Sequence, residues 1–225
     1  MSKTVKYEFT KEQLIPAIMH RIGNKTPIWM QQRWQDGKYA VYVRQNGCGH
    51  CCVSMVCNLL GIEMNPHAHI ERCVKLWGEP SIASNGNQQY YFLTPNGIVE
   101  SLTGMGVKAE CFGHKNQGVD SAVKHIVNSL KDGKMVIFIS SPSKEFLDNP
   151  FSKGDHYVLA VGITESGKIL IANSSTNGIY TIGEGVQEVD EVAIKKSLNP
   201  IAEPIKTKWG EITDLHEGIG YIVIG

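Results

Sequence analysis

The sequence predicts an α+β domain, with N-terminal helices packed on a C-terminal antiparallel sheet. Three observations carry that prediction. Apolar residues recur at helical spacing in several segments up to Leu130. After Gly133 the pattern changes to short β-rich runs, MVIFIS, HYVLAVGI, KILIAN and a terminal GYIVI. The 225 residues, 42% of them hydrophobic, suffice for one sizeable core without disulfide or metal staples.

Taken in order, Thr10-Lys11-Glu12-Gln13 has the form of a capping box opening a helix to about Ile22, with Pro16 inside it. Residues 24 to 45, rich in Trp and Gln, are expected to be irregular or extended. In GCGHCCVSMVCNLLG the pairs Cys51/Cys52, Met55/Val56 and Leu59/Leu60 recur at helical spacing, which predicts a buried helix ended by Gly61. Ala68 to Leu76 reads as a further short helix, with His67 and His69 assigned to the turn before it. Thr94-Pro95 supplies a cap and a first-turn proline for the next. Val119, Ala122, Val123, Ile126, Val127 and Leu130 form one apolar stripe, hence a helix from Val119 to Leu130. TESG is the turn of a hairpin, and Asp190 to Leu198 is a helix inserted before the last strand.

Charge narrows the function classes. Lys+Arg and Asp+Glu both count 22, so the formal net charge is zero. A general nucleic-acid binder or polybasic membrane binder would carry an excess of one sign. No apolar run approaches the roughly 18 residues of a membrane span, and the start MSKTVKYEFTKEQ has no signal-peptide core. The chain is therefore expected to be cytoplasmic as synthesised, or exported or released without a cleaved signal peptide.

The 6 cysteines are Cys48, Cys51, Cys52, Cys57, Cys73 and Cys111. Disulfide frameworks belong to short secreted chains, and bonds between near neighbours on one helix have poor geometry, so these are read as reduced thiols. Asn46 and Gly47 are both acceptable caps and would put Cys48 in the first turn of its helix. Unpaired N–H groups and the positive helix end there favour thiolate over thiol, and the same N–H groups can stabilise an oxyanion. Cys51 and Cys52 begin the apolar stripe and read first as small core side chains.

A cysteine nucleophile needs a base, and the base an orienter. Among 8 histidines, His156 opens the strand HYVLAVGI after a flexible GD, while Asn173 ends the following strand. If the four-residue TESG closes the hairpin, Ile163 pairs with Lys168, and Asn173 comes to lie opposite Val158. His156 and Asn173 then become diagonal neighbours on one face, roughly 7–8 Å apart at the backbone. A loop different by one residue would put them on opposite faces.

These segments, in this order, resemble the bacteriocin-leader peptidase group (peptidase family C-39) and its larger C-39-like set. CGHCCVSMVCNLLG resembles that group's cysteine helix, GDHYVLAVGITESGKILIANSS its histidine strand, turn and following strand, and LKDGKMVIFI the strand between. The resemblance runs from about Gly47 to Ser175. It implies a papain-like cysteine peptidase fold, with helix and sheet halves meeting at a cleft. Carried over by position, Cys48 is the nucleophile, His156 the base and Asn173 the orienter. His50 stands where that group usually has Pro, and Asn173 where Asp is commoner. Gln45-x-x-Cys48-Gly49-x-Cys51 also resembles the papain signature, in which Cys51 is the nucleophile and Gln45 its oxyanion helper. The 14-residue run from Cys48 to Gly61 fits the C-39-like helix better. With Cys48 as nucleophile, Gln32 or Gln31 are alternative oxyanion side chains.

The expectation is one papain-like peptidase domain over 1–225, with 1–45 an N-terminal extension, 46–175 the motif-bearing core and 176–225 completing the sheet. Its substrate is a peptide or protein, on cell-wall or leader peptides in a bacterial or phage setting, with no metal or organic cofactor and no nucleic-acid partner. Three competing readings stay open. Cys48-Gly49-His50-Cys51 matches the redox tetrapeptide of disulfide isomerases, though no preceding βαβ pattern supports it. Cys48, His50, Cys51 and Cys52, with His67 and His69, have zinc-ligand chemistry, but adjacent helical cysteines diverge by about 100°. A papain-like module that binds without turnover is the third.

Overall fold

A computed structural model describes residues 21–22, 26–27, 37–78, 93–113, 118–140, 151–152, 156–174, 181–182, 186–198, 206–207, 210–211 and 220–225. Six helices are labelled in chain order: α1 (Ala40–Asn46), α2 (Cys48–Leu59), α3 (Pro66–Trp77), α4 (Pro95–Thr103), α5 (Val119–Lys131) and α6 (Glu191–Ser197). The main sheet contains β1 (Ala109–Gly113), β2 (Met135–Ser140), β3 (His156–Ile163), β4 (Ile169–Ala172), β5 (Thr181–Ile182), β6 (Val186–Val189) and β7 (Gly220–Ile224).

The α+β architecture is the expected one, with every pairing in the main sheet antiparallel. Its strand order is β1-β7-β2-β3-β4-β6-β5, so the last strand of the chain lies between β1 and β2. Alternation along the strands sorts the core into two halves. Met135, Ile137, Ile139, Tyr157, Leu159 and Val161 join the core of α1 to α4. Val136, Phe138, Val158 and Ala160 join Ile126 and Leu130 of α5, Ile194 of α6 and Leu198 just after it. Helices therefore cover both faces, which is why MVIFIS is buried at every position rather than at alternate ones.

Local chemistry explains the helix starts. Thr94 Oγ1 accepts from the Gly97 N–H at 3.1 Å, with Pro95 in the first turn, as the sequence predicts. Asn65 Oδ1 accepts from Ala68 N–H at 2.8 Å, and with Pro66 it starts α3 earlier than expected. His67 and His69 consequently ride on α3 rather than in a turn before it.

Two further expectations are corrected. Arg21–Ile22, assigned to the end of an N-terminal helix, is a short strand paired with Thr26–Pro27; the rest of that predicted helix lies outside the described residues. The interval 24 to 45 is not extended throughout, because Ala40–Asn46 is helical. Gly47 is the N-cap of α2, as expected, and puts Cys48 in its first turn. Through this residue α1 runs almost directly into α2, and its N–H bonds to the Val43 carbonyl at 3.0 Å. A Cβ on Gly47 would come within 2.6 Å of the Val43 backbone, so only glycine permits this junction.

Candidate active site

Helix α2 begins at Cys48, and its start lies against the start of β3. A Cβ added to Gly49 would stand 3.2 Å from Tyr157 Cδ2 and 3.2 Å from Leu93 Cβ. The Tyr157 hydroxyl in turn donates to the Leu93 carbonyl at 2.7 Å, tying the strand to the segment before α4. Tyr157 is the residue after His156, and Gly49 the residue after Cys48. The close approach that brings the two segments together thus depends on a missing side chain. Gly49→Ala is expected to cost about 1–3 kcal/mol through overpacking, read as a fall in Tm of several degrees. Because the strain falls between α2 and β3, the same substitution is expected to slow alkylation of Cys48.

The cysteines sort by environment. Cys48 is half-buried, whereas Cys51 and Cys52 are 0% exposed in the helical core. Burial, with the charge of a Cys48 thiolate added, holds the Cys51 thiol well above its ordinary range, and Cys52 likewise. Burial pushes Cys57 up to about 11 and Cys73 up to about 12. These four thiols are kept in their neutral, unreactive form. A disulfide exchange between Cys48 and Cys51 would have to reach a sulfur sealed inside the core.

His156 and Asn173 come together. His156 Nε2 is 2.9 Å from Asn173 Oδ1, with Ser174 Oγ at 3.4 Å. The hairpin reaches this arrangement by an unexpected route. Ile163 pairs with Ile169 rather than Lys168, so the connection is one residue longer than TESG. Such a slip would reverse the faces, but a β-bulge between Ala160 and Gly162 absorbs the extra residue. Beyond the bulge, Ala160 pairs with Ile171 and Leu159 with Ala172, the register that brings Asn173 opposite Val158. The turn itself is held by Thr164, whose N–H bonds to Lys168 O at 2.8 Å, and by Gly167 at φ +80°.

Burial depresses the His156 pKa to about 4, against which the Asn173 hydrogen bond works in the opposite direction. The imidazole is therefore neutral at pH 7 and able to accept a proton. Asn173 is also fully buried, and its Nδ2 donates to the Phe151 carbonyl at 3.0 Å and to Gln187 Oε1 at 2.8 Å. No local sequence signal marks Gln187 or Phe151 as part of this arrangement. In VQEV the glutamine reads as an ordinary polar strand residue, and nothing local marks a backbone carbonyl as an acceptor.

Gln45 lies in the last turn of α1; Gln31 and Gln32 lie outside the described residues. Of the residues weighed as zinc ligands, His50 and His69 come together, joined by Cys73. Among the described residues, His50, His69 and Cys73 have donor atoms within 4.8 Å of one another. His69 turns Nδ1 to His50 Nδ1 at 2.9 Å, and Nε2 to Ser101 Oγ at 2.7 Å and Cys73 Sγ at 3.8 Å. The two nitrogens of the His69 ring thus serve opposite sides of a chain of hydrogen bonds.

The profile of the Peptidase_C39 like family matches residues 25–197. The chain belongs to that family. Comparison with curated protein sequences gives no match. Among solved structures, this C39-like chain is similar to one described as a C39-like peptidase from Bacillus anthracis. The identity is 14%, the TM-score 0.46, and 80% of this chain and 89% of the other are covered. A double glycine motif protease from an AMS/PCAT transporter, in complex with its leader peptide, is similar at 9% identity and a TM-score of 0.37. That comparison covers 79% of this chain and 82% of the other. No described helix of this C39-like chain is long and apolar enough to cross a membrane.

Proposed function

We propose that the chain is a cysteine peptidase or amidase that cleaves a peptide or isopeptide bond through Cys48, His156 and Asn173. The observation that carries this reading is the buried His156–Asn173 hydrogen bond on a strand whose next residue packs against the start of the Cys48 helix. Family membership supports the reaction class. Among the cysteines of α2, Cys48 is the one that is not sealed in the core, which favours it over Cys51 as nucleophile.

In this mechanism His156 takes the Cys48 thiol proton as the sulfur attacks the carbonyl carbon. The tetrahedral oxyanion is held by N–H groups at the start of α2, with Gln45, Gln32 or Gln31 as the side-chain donor. His156 then gives the proton to the leaving amine as the C–N bond breaks, forming a thioester. Water attacks that thioester with His156 again as base, releasing the acid and restoring the thiol. Asn173 keeps the imidazole plane in place throughout. The substrates suggested are leader or cell-wall peptides.

Limiting iodoacetamide near neutral pH, followed by mapping of the adducts by mass spectrometry, tests the nucleophile. Cys48 is expected to carry nearly all of the label. Equal labelling of the six thiols would remove the activated nucleophile and leave a binding module. Labelling at Cys51 alone would transfer the role to that residue, and a reversible Cys48–Cys51 disulfide would favour redox chemistry.

A further inference from the structure

The hydrogen bonds of Asn173 to His156, Phe151 and Gln187 have a polarity that carries information about the imidazole. The Phe151 carbonyl is an acceptor and nothing else, so the atom 3.0 Å from it must be the amide nitrogen. Gln187 Oε1 takes a bond from the same Nδ2 at 2.8 Å. Both Asn173 amide hydrogens are thereby used, and Oδ1 is left pointing at His156 Nε2, 2.9 Å away. An oxygen there requires a donor, so the neutral imidazole carries its proton on Nε2 and its lone pair on Nδ1. That is the tautomer able to take a thiol proton. The reversed amide would set Asn173 Oδ1 against the Phe151 carbonyl oxygen and, with Gln187 oriented as it is, against Gln187 Oε1, and would select the opposite tautomer.

Gln187 is placed for this by the sheet rather than by proximity in sequence. In the β4–β6 pairing, Ala172 lies opposite Val186 and Ile171 opposite Gln187, which makes Gln187 the diagonal neighbour of Asn173. His156, Asn173 and Gln187 form a polar row across β3, β4 and β6, and Gln187 is 0% exposed. Burying an amide among apolar side chains is costly unless its bonds are made, so its partner matters.

We propose that Gln187 is a positioning residue: together with the Phe151 carbonyl it orients the Asn173 amide and so sets the tautomer of His156. The same arrangement accounts for asparagine at 173, since a carboxylate would face the Phe151 carbonyl oxygen with no hydrogen between them. This inference rests on the catalytic reading above, and the two are tested by different signals.

The experiment records the imidazole nitrogens of His156 by 15N NMR in the full chain, with the rate of Cys48 alkylation by iodoacetamide followed from pH 4 to 9. Wild type and Gln187→Glu, which keeps a carbonyl oxygen at the acceptor position, are expected to carry the proton on Nε2. Gln187→Met is expected to bring up the Nδ1-protonated form and slow alkylation about tenfold, the effect of leaving a buried donor without its acceptor. Gln187→Asn, which withdraws the oxygen by one methylene, is expected to move both signals in the same direction, and it serves if the methionine variant does not fold. Wild-type tautomer and alkylation rate in Gln187→Met, with only a lower Tm, would overturn the proposal and reduce Gln187 to a packing residue. In a separate control, unchanged Cys48 alkylation in His156→Ala would sink the catalytic reading, while the NMR signal would still report whether Gln187 sets the tautomer.

Discussion

Replacing Cys48 with alanine is expected to abolish peptide hydrolysis, lowering kcat/KM by roughly 10⁴-fold or more, as removal of a nucleophile does in comparable triads. His156→Ala is expected to match it, because a nucleophile and its base act as one unit and their losses do not add. Asn173→Leu should fall between these variants and wild type, since the imidazole survives but loses the oxygen that orients it. Cys51→Ser, by contrast, is expected to retain most of the activity while lowering stability, because it puts a hydroxyl into a site with 0% exposure. The measurement is turnover of a mixed peptide library and of cell-wall peptides, read by mass spectrometry, with Tm for each variant as control. Activity in Cys48→Ala together with loss in Cys51→Ser would reverse the assignment.

The second large effect is on stability in acid. His156 is held neutral by burial, with its pKa moved from 6.5 to about 4, and burial moves His69 well below its ordinary value, helped by the neighbouring His50 and Arg72. For a base whose pKa is depressed on folding, the unfolded chain binds more protons between the two values. The resulting stability is complete above the unfolded pKa of about 6.5 and is lost as the pH falls through the folded one. For His156 that loss comes to about 3 kcal/mol between pH 6.5 and 4. His69 adds a loss in the same direction. Tm is thus expected to be flat near neutrality and to drop steeply below pH 6. His156→Gln should flatten that slope, and a Tm independent of pH from 7 to 4 would show that these imidazoles are not buried neutral.

Much of this site is legible in the residues themselves, for identifiable reasons. The Cys48 helix declares itself through apolar spacing and its glycines, and the strands of His156 and Asn173 through β-rich runs bounded by turn residues. Pairing the two strands correctly was a narrower matter. The assumed loop length is wrong by one residue, yet the bulge between Ala160 and Gly162 restores the register. No one-dimensional pattern distinguishes these compensating shifts, because a bulge is decided by how the strands twist against their neighbours. The helix at Ala40–Asn46 was missed for a related reason. It has no side-chain cap of its own, and it abuts α2 through a close contact at Gly47.

What the sequence determined by itself is the set of local choices: an α+β chain, six reduced thiols, and one cysteine at a helix start. Each follows from propensity, period or composition over a few neighbouring residues. Which groups meet is settled by packing in three dimensions. Burial in the shared core separates Cys51 and Cys52 from Cys48, although all three lie within five residues of one helix. The order β3-β4-β6 brings Gln187 beside Asn173, and the Phe151 carbonyl completes the same amide. Hydrogen-bond polarity at that amide depends on partners distant in sequence, so the proton on His156 is set by the packed sheet and not by the residues flanking it.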